Sequence, residues 1–179
     1  MRVLPGAVLA ALVVLVPSGT RAGEGLAALE AAVHRRVNAL RRSAGLLPLE
    51  RDPALDRVAR AHSRDMARRG YLAHVNPEGR TPLDRLRAAG VAGFTLAAEN
   101  AGQSSLPDPA AEIVRGWVAS PVHHRNLFLP AFNRTGIGVV RAADGTVYAT
   151  QLYLSVPRAA RSAGPRAGGP AAGGAPGPP

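Results

Sequence analysis

Residues 52–70, DPALDRVARAHSRDMARRG, carry both ends of a helix and its buried face. Asp52 is an N-cap residue whose carboxylate accepts from the free amides of the first turn, and Pro53 suits the first helical position because no N–H is needed there. Leu55, Val58, Ala59, His62 and Met66 recur at the spacing of one helical face,. Gly70 ends the run, as the residue that most easily takes the left-handed conformation closing many helices. The same punctuation, a capping side chain followed by proline, returns at Thr81-Pro82 and Asp108-Pro109. The first predicts a short helix through Leu83 and Leu86 to Gly90. The second predicts one through Ile113, Val114 and Trp117, stopped by Pro121. Upstream, Leu26, Leu29, Val33, Val37 and Leu40 predict a first helix ending near Gly45,.

Strand signals are fewer. Phe94 to Ala98 predicts one strand. Gly136 to Arg141 and Val147 to Leu154 flank Asp144-Gly145, a hairpin turn pair. Helices around a small antiparallel sheet define an α+β domain.

The chain of 179 residues contains no cysteine, which excludes disulfide frameworks, thiolate metal sites and a cysteine nucleophile,. Aromatic residues make up only 4%, so aliphatic side chains must supply most of the packing. All 22 basic residues are arginine. Of the formal charge of +10, two units lie in residues 1–22 and three in 157–179, leaving +5 in the middle. That balance suits anionic wall polymers or lipid head groups. The aromatic platforms and basic motifs of nucleic-acid binders are missing, so no nucleic-acid partner is expected.

The flanks differ in kind from the centre. Arg2, the apolar run Val3 to Val16, and Thr20 and Ala22 at the −3 and −1 positions of a cut predict a signal peptide over 1–22. The apolar run is short for a membrane span, so a secreted, extracellular or cell-envelope protein without a stable span is expected after cleavage. Residues 157–179 are almost entirely Pro, Gly, Ala, Arg and Ser, and predict a disordered tail,. The folded domain is expected over 26–156.

The histidines are not equivalent. His34 lies off the apolar stripe of its helix and reads as a solvated surface residue, whereas His62 sits on an apolar face and reads as a satisfied core histidine. His74 falls in the turn-rich loop AHVNPEG, the kind of segment on which functional side chains are held,. His123 and His124 follow Pro121, in chain expected to be irregular. Among the acids, Glu99 stands amid Ala97-Ala98 and Asn100-Ala101-Gly102, at the expected end of a strand. It is either a functional carboxylate or a buried one capping nearby backbone, and spacing does not separate the two. No local metal motif, nucleophile elbow, phosphate loop or dinucleotide fingerprint is present, and no organic cofactor is expected.

Several short motifs in order resemble the CAP superfamily, or SCP domain, in its cysteine-free bacterial branch. They begin with Val37-Asn38-Ala39-Leu40-Arg41 and Gly45-Leu46-Leu47-Pro48-Leu49, followed by Ala61 to Ala67. The His74 loop continues into Thr81-Pro82-Leu83-Asp84-Arg85, and Ala98-Glu99-Asn100 comes next. Trp117-Val118-Ala119-Ser120-Pro121-Val122-His123, then Asn126-Leu127, Phe132 to Gly138 and Tyr148-Ala149-Thr150-Gln151 complete the series. The resemblance covers about Leu29 to Tyr153. It implies an α-β-α sandwich with a shallow cleft where His74, Glu99 and His123 match the family's histidine, glutamate and histidine, with His123 preferred over His124. It also implies a divalent metal there, commonly zinc. Such an ion lowers the pKa of bound water. Many members carry a second glutamate shortly after the tryptophan; Ser120 falls near that place, and Glu112 does not replace it.

Two classes of function follow. One is a binding module whose cleft takes an extracellular lipid, cell-wall fragment or protein. The other is a metal-assisted extracellular hydrolase, for which His74, Glu99 and His123 are the catalytic candidates. A structural wall-associated protein is a third. Without the second glutamate no separate general acid or base is evident, which favours binding.

Overall fold

The computed structural model describes residues 18–157. The predicted signal peptide lies outside the described residues except for 18–22, and the predicted tail lies outside except for Pro157. Five helices run as α1 (Ser18–Ser43), α2 (Pro53–Arg69), α3 (Pro82–Ala88), α4 (Pro109–Ala119) and α5 (Pro121–Phe128). Four strands run as β1 (Glu50–Arg51), β2 (Leu96–Ser104), β3 (Arg134–Arg141) and β4 (Val147–Ser155).

The three capping pairs act as their chemistry dictates. Asp52 accepts from the Ala54 and Leu55 amides, Asp108 from Ala111, and Thr81 forms a reciprocal capping box with Asp84,. Gly70 closes α2 with φ of 68°, in the left-handed region,.

The sheet order is β1-β3-β4-β2. β3 pairs antiparallel with β4, and β4 antiparallel with β2, while β1 pairs parallel with β3. The all-antiparallel expectation is therefore corrected at β1, a two-residue strand too short to leave a periodic signal,. Two further expectations change. Pro121 does end α4, but it also opens α5, since proline at the first helical position has no orphan N–H to satisfy,. The segment expected to be irregular is thus a helix. And β2 extends to Ser104, so Glu99 stands inside a strand rather than at its end.

Helices cover both faces of the sheet. Val33 and Val37 of α1, Ile113, Val114 and Trp117 of α4, and Leu127 of α5 pack on Ile137, Val139, Ala149 and Tyr153. On the opposite face Leu55, Val58 and Ala59 of α2 and Leu86 of α3 pack on Leu152 and Leu154. β4 is buried on both faces from Val147 to Leu154, including the polar Thr150 and Gln151, whose side chains are hydrogen-bonded to Ser63 and Thr135,. The result is the α-β-α sandwich that the resemblance implies.

Two glycines set the spacing between layers. A Cβ on Gly136 would lie 2.2 Å from the Leu55 backbone, and one on Gly138 would lie 2.0 Å from the Arg60 nitrogen. The backbone of α2 therefore rests directly on β3, a contact that any side chain at either position would block.

Candidate functional site

β2 is an edge strand, and its alternation delivers consecutive side chains to opposite layers,. Glu99 turns toward α2 and α3, whereas Asn100 turns toward α5 and Tyr153. The site forms where the two layers meet across this edge.

Glu99 is buried, with a side chain only 2% exposed, and both its oxygens are engaged. Arg85 Nη2 of α3 donates to Oε2 at 2.7 Å, and His74 Nδ1 donates to Oε1 at 3.0 Å. Arg85 also donates through Nη1 to the carbonyls of His74 and Arg80, both at 3.0 Å. One guanidinium thus fixes the carboxylate and the loop carrying the imidazole that the carboxylate orients. His62 supports the same loop from beneath: its Nε2 donates to the Ala73 carbonyl at 2.9 Å and lies 3.8 Å from Glu99 Oε1. Burial is the main cause that lowers the pKa of His62, which favours the neutral ring,. Its Nδ1 has no partner among the described residues.

His123 comes from the first turn of α5. Its ring meets that of His74 edge-on, with centroids 5.8 Å apart. Burial, and secondarily the neighbouring His74, push its pKa down, so it too is held neutral,. Two asparagines tie α5 to β2. Asn100 Nδ2 donates to the His123 carbonyl at 3.2 Å and to the Tyr153 hydroxyl at 3.1 Å. Asn126 Nδ2 donates to the Glu99 carbonyl at 3.3 Å and to Asn100 Oδ1 at 2.9 Å. At the far end of α5, the fully buried Arg41 donates to the carbonyls of Leu127 at 2.8 Å and Leu129 at 3.1 Å. A cation there complements the negative end of the helix dipole.

The sequence-derived candidates therefore separate. His74, Glu99 and His123 come together. His124 does not: it is exposed and packs against Phe128 on the outer side of α5. Glu112 stands apart, paired with Arg115 on α4. His34, read from sequence as solvated, is half-buried, with Nε2 lying 3.0 Å from the Leu49 carbonyl. It faces the loop before β1 rather than water, because that loop folds back over α1.

Arg85, Asn100 and Asn126 escape sequence reasoning as members of the site. Each sits inside one of the family-like motifs, but a residue's place in a motif gives no partner until the layers are assembled.

Among the described residues, no group of three or more His, Cys, Asp or Glu side chains is arranged to hold a metal ion. Both oxygens of Glu99 are engaged, one by Arg85 and the other by the His74 ring. Glu99 is buried, whereas the His74 side chain is 43% exposed.

A known family shares this three-layer sandwich. The chain belongs to it: residues 34–153 match the CAP model, the cysteine-rich secretory protein family, although this member has no cysteine. It is 32% identical over 132 residues to the uncharacterized protein YkwD of Bacillus subtilis, covering 74% of this chain and 49% of that one. The chain thus spans about half the length of the curated relative it matches. Among solved structures it resembles an extracellular SCP-domain protein of Bacillus anthracis, with a TM-score of 0.65 and 28% identity. That match covers 78% of this chain and 44% of the other. An outer surface protein of Borrelia burgdorferi shares the fold, with a TM-score of 0.63 at 21% identity over 70% of this chain and 90% of that one. No helix among the described residues is long and apolar enough to cross a membrane.

Proposed function

We propose that this CAP domain is an exported binding module, and that His74 and His123 hold a divalent metal of the zinc type at the cleft. The observation that carries this reading is the hydrogen bond from His74 Nδ1 to Glu99 Oε1 at 3.0 Å. Metal-ligating histidines characteristically give their second ring N–H to a carboxylate, which fixes the tautomer and turns the free nitrogen outward. The ring separation of 5.8 Å is of the order required when two imidazoles share one ion at Zn–N distances of about 2.0 Å,. Glu99 then orients a ligand rather than serving as one. When bound, the ion supplies a Lewis-acid centre with positions open to water or to a ligand donor atom.

Binding is favoured over hydrolysis because both Glu99 oxygens are committed. No carboxylate among the described residues beside the two imidazoles is left to take a proton from an attacking water,. The ligand class is an extracellular lipid, wall fragment or protein, consistent with the extracellular description of the Bacillus anthracis neighbour.

Metal analysis after zinc loading tests the site. The parent should carry about one zinc per chain, and His74→Ala and His123→Ala should carry none. Glu99→Ala should retain zinc with affinity weakened by about 10–100-fold, as for other outer partners of ligating histidines. Equal and negligible zinc in parent and variants would falsify the reading. Full retention in either histidine variant would refute the assignment of that residue.

A further inference from the structure

Behind the cleft, across His62 and Arg85, lies a second concavity. It is a groove of about 420 Å³ between α2 and α3, which puts it in the size class of small-molecule sites,. Val58, Ala61, Ala88 and Ala89 give it an apolar lining, and Arg57 and Arg80 stand at its rim. Both rim arginines are exposed. Arg80 is engaged through its peptide group, accepting from Arg85 and donating to Asn76 Oδ1, and neither guanidinium has a partner among the described residues. Asp65 and Asn76, which also line the groove, are already paired. Asp65 accepts from the Tyr71 hydroxyl at 2.6 Å and from Arg68 at 3.3 Å, and Asn76 donates to Glu78 at 2.7 Å. The inner end is closed by two side chains with unpartnered nitrogens: His62, 1% exposed, at Nδ1, and Arg85 at Nε.

We infer that this groove is a separate ligand site for a small carboxylate carrying a compact apolar body. The rim guanidiniums supply forked donors matched to a carboxylate. The aliphatic lining takes the body, and its small side chains leave room for a flat ring. Asp65 also lines the groove, and its charge favours a singly charged head over a doubly charged phosphate,. The site does not depend on metal at the cleft.

Titration of the full chain with 2-naphthoate, followed by the probe's fluorescence and by calorimetry, tests it. Saturable binding at about one site per chain is expected, whereas 2-naphthamide (same body, no charge) and acetate (head alone) should each bind at least about tenfold more weakly. The pair Arg57→Gln with Arg80→Gln should weaken naphthoate by about tenfold or more, from loss of charge-assisted bonds. Ala61→Glu, at an exposed helical position where folding is checked by an unchanged unfolding midpoint, should abolish binding. His74→Ala should leave it unaltered. Absence of saturable binding overturns the inference. So does equal binding of the amide, or sensitivity to His74→Ala without sensitivity to Ala61→Glu.

Discussion

Glu30 and Glu99 are buried to the same degree, with side chains 4% and 2% exposed, and both are held by arginine. Their surroundings differ in one respect. Glu30 of α1 accepts from Arg60 at Nε and Nη2, both at 2.8 Å, from Arg51 at 2.7 Å, and from the Val139 amide at 3.2 Å. All of its partners belong to the frame: α1, β1, α2 and β3 are joined through one carboxylate. Glu99 has one such partner in Arg85, and gives its other oxygen to His74, whose side chain is 43% exposed. Burial and arginine pairing are thus shared by a structural and a functional carboxylate. What distinguishes them is whether one partner opens to solvent with a donor atom to spare.

The largest effect expected from breaking this comparison is at Glu30. Glu30→Ala removes four accepted bonds: the buried Val139 amide and the Arg60 guanidinium lose their acceptor, while Arg51 keeps Asp56, and with both arginines partly open to water a loss of about 2–4 kcal/mol is expected in urea unfolding,. Zinc bound per folded molecule should be unchanged. At Glu99 the order reverses: Glu99→Gln keeps the shape and one acceptor, so stability should fall by only about 1–3 kcal/mol. Zinc affinity should nonetheless drop, because the amide no longer presents the charged acceptor that sets the His74 ring. If the two substitutions gave the same ratio of stability loss to zinc loss, the distinction between the two carboxylates would be lost.

This contrast also explains what is legible in the sequence. The helices are legible because Asp52, Thr81 and Asp108 cap through bonds made within one turn, which leaves a local mark. Pro121 is half-legible, since the same residue that blocks one helix starts another. Glu30 leaves no mark: it is one acid on a helix, and its partners lie 21, 30 and 109 positions away. The candidate site has the same difficulty. His74 and His123 come from opposite layers and meet over the edge of β2, so no spacing rule relates them. Only the family resemblance brings them together, and it leaves out Arg85, whose role depends on α3 packing against β2.

A smaller effect is expected from pH. His62 lies behind Glu99 with its pKa lowered, chiefly by burial and also by Arg85, while Glu99 opposes the shift. Between its lowered folded value and the ordinary value near 6.5, the unfolded chain binds the proton and the folded chain does not,. His123, also lowered chiefly by burial, shares the window, so stability should be level above about pH 6.5 and fall as pH drops through it, each of the two rings contributing a slope below about 1.4 kcal/mol per pH unit,. His62→Gln should reduce that slope in a pH series of unfolding free energies, leaving the share of His123,. An unchanged slope would show that His62 is not among the groups responsible.

The smallest stability effect is expected where the functional effect is largest. His74 is half-exposed, its bond to Glu99 is at the rim of the cleft, and Arg85 continues to hold the carboxylate after the ring is gone. His74→Ala should therefore change the unfolding free energy by only about 0.5 kcal/mol, as for surface positions outside the core. The same substitution removes one of two imidazoles from the cleft and should abolish zinc binding. Comparing Glu30→Ala with His74→Ala under identical conditions thus separates the two roles: one variant unfolds early and binds normally while folded, the other folds normally and does not bind. A His74→Ala protein destabilised as much as Glu30→Ala would mean that the Glu99 cluster is a second brace for the sandwich, and that its exposed imidazole is incidental.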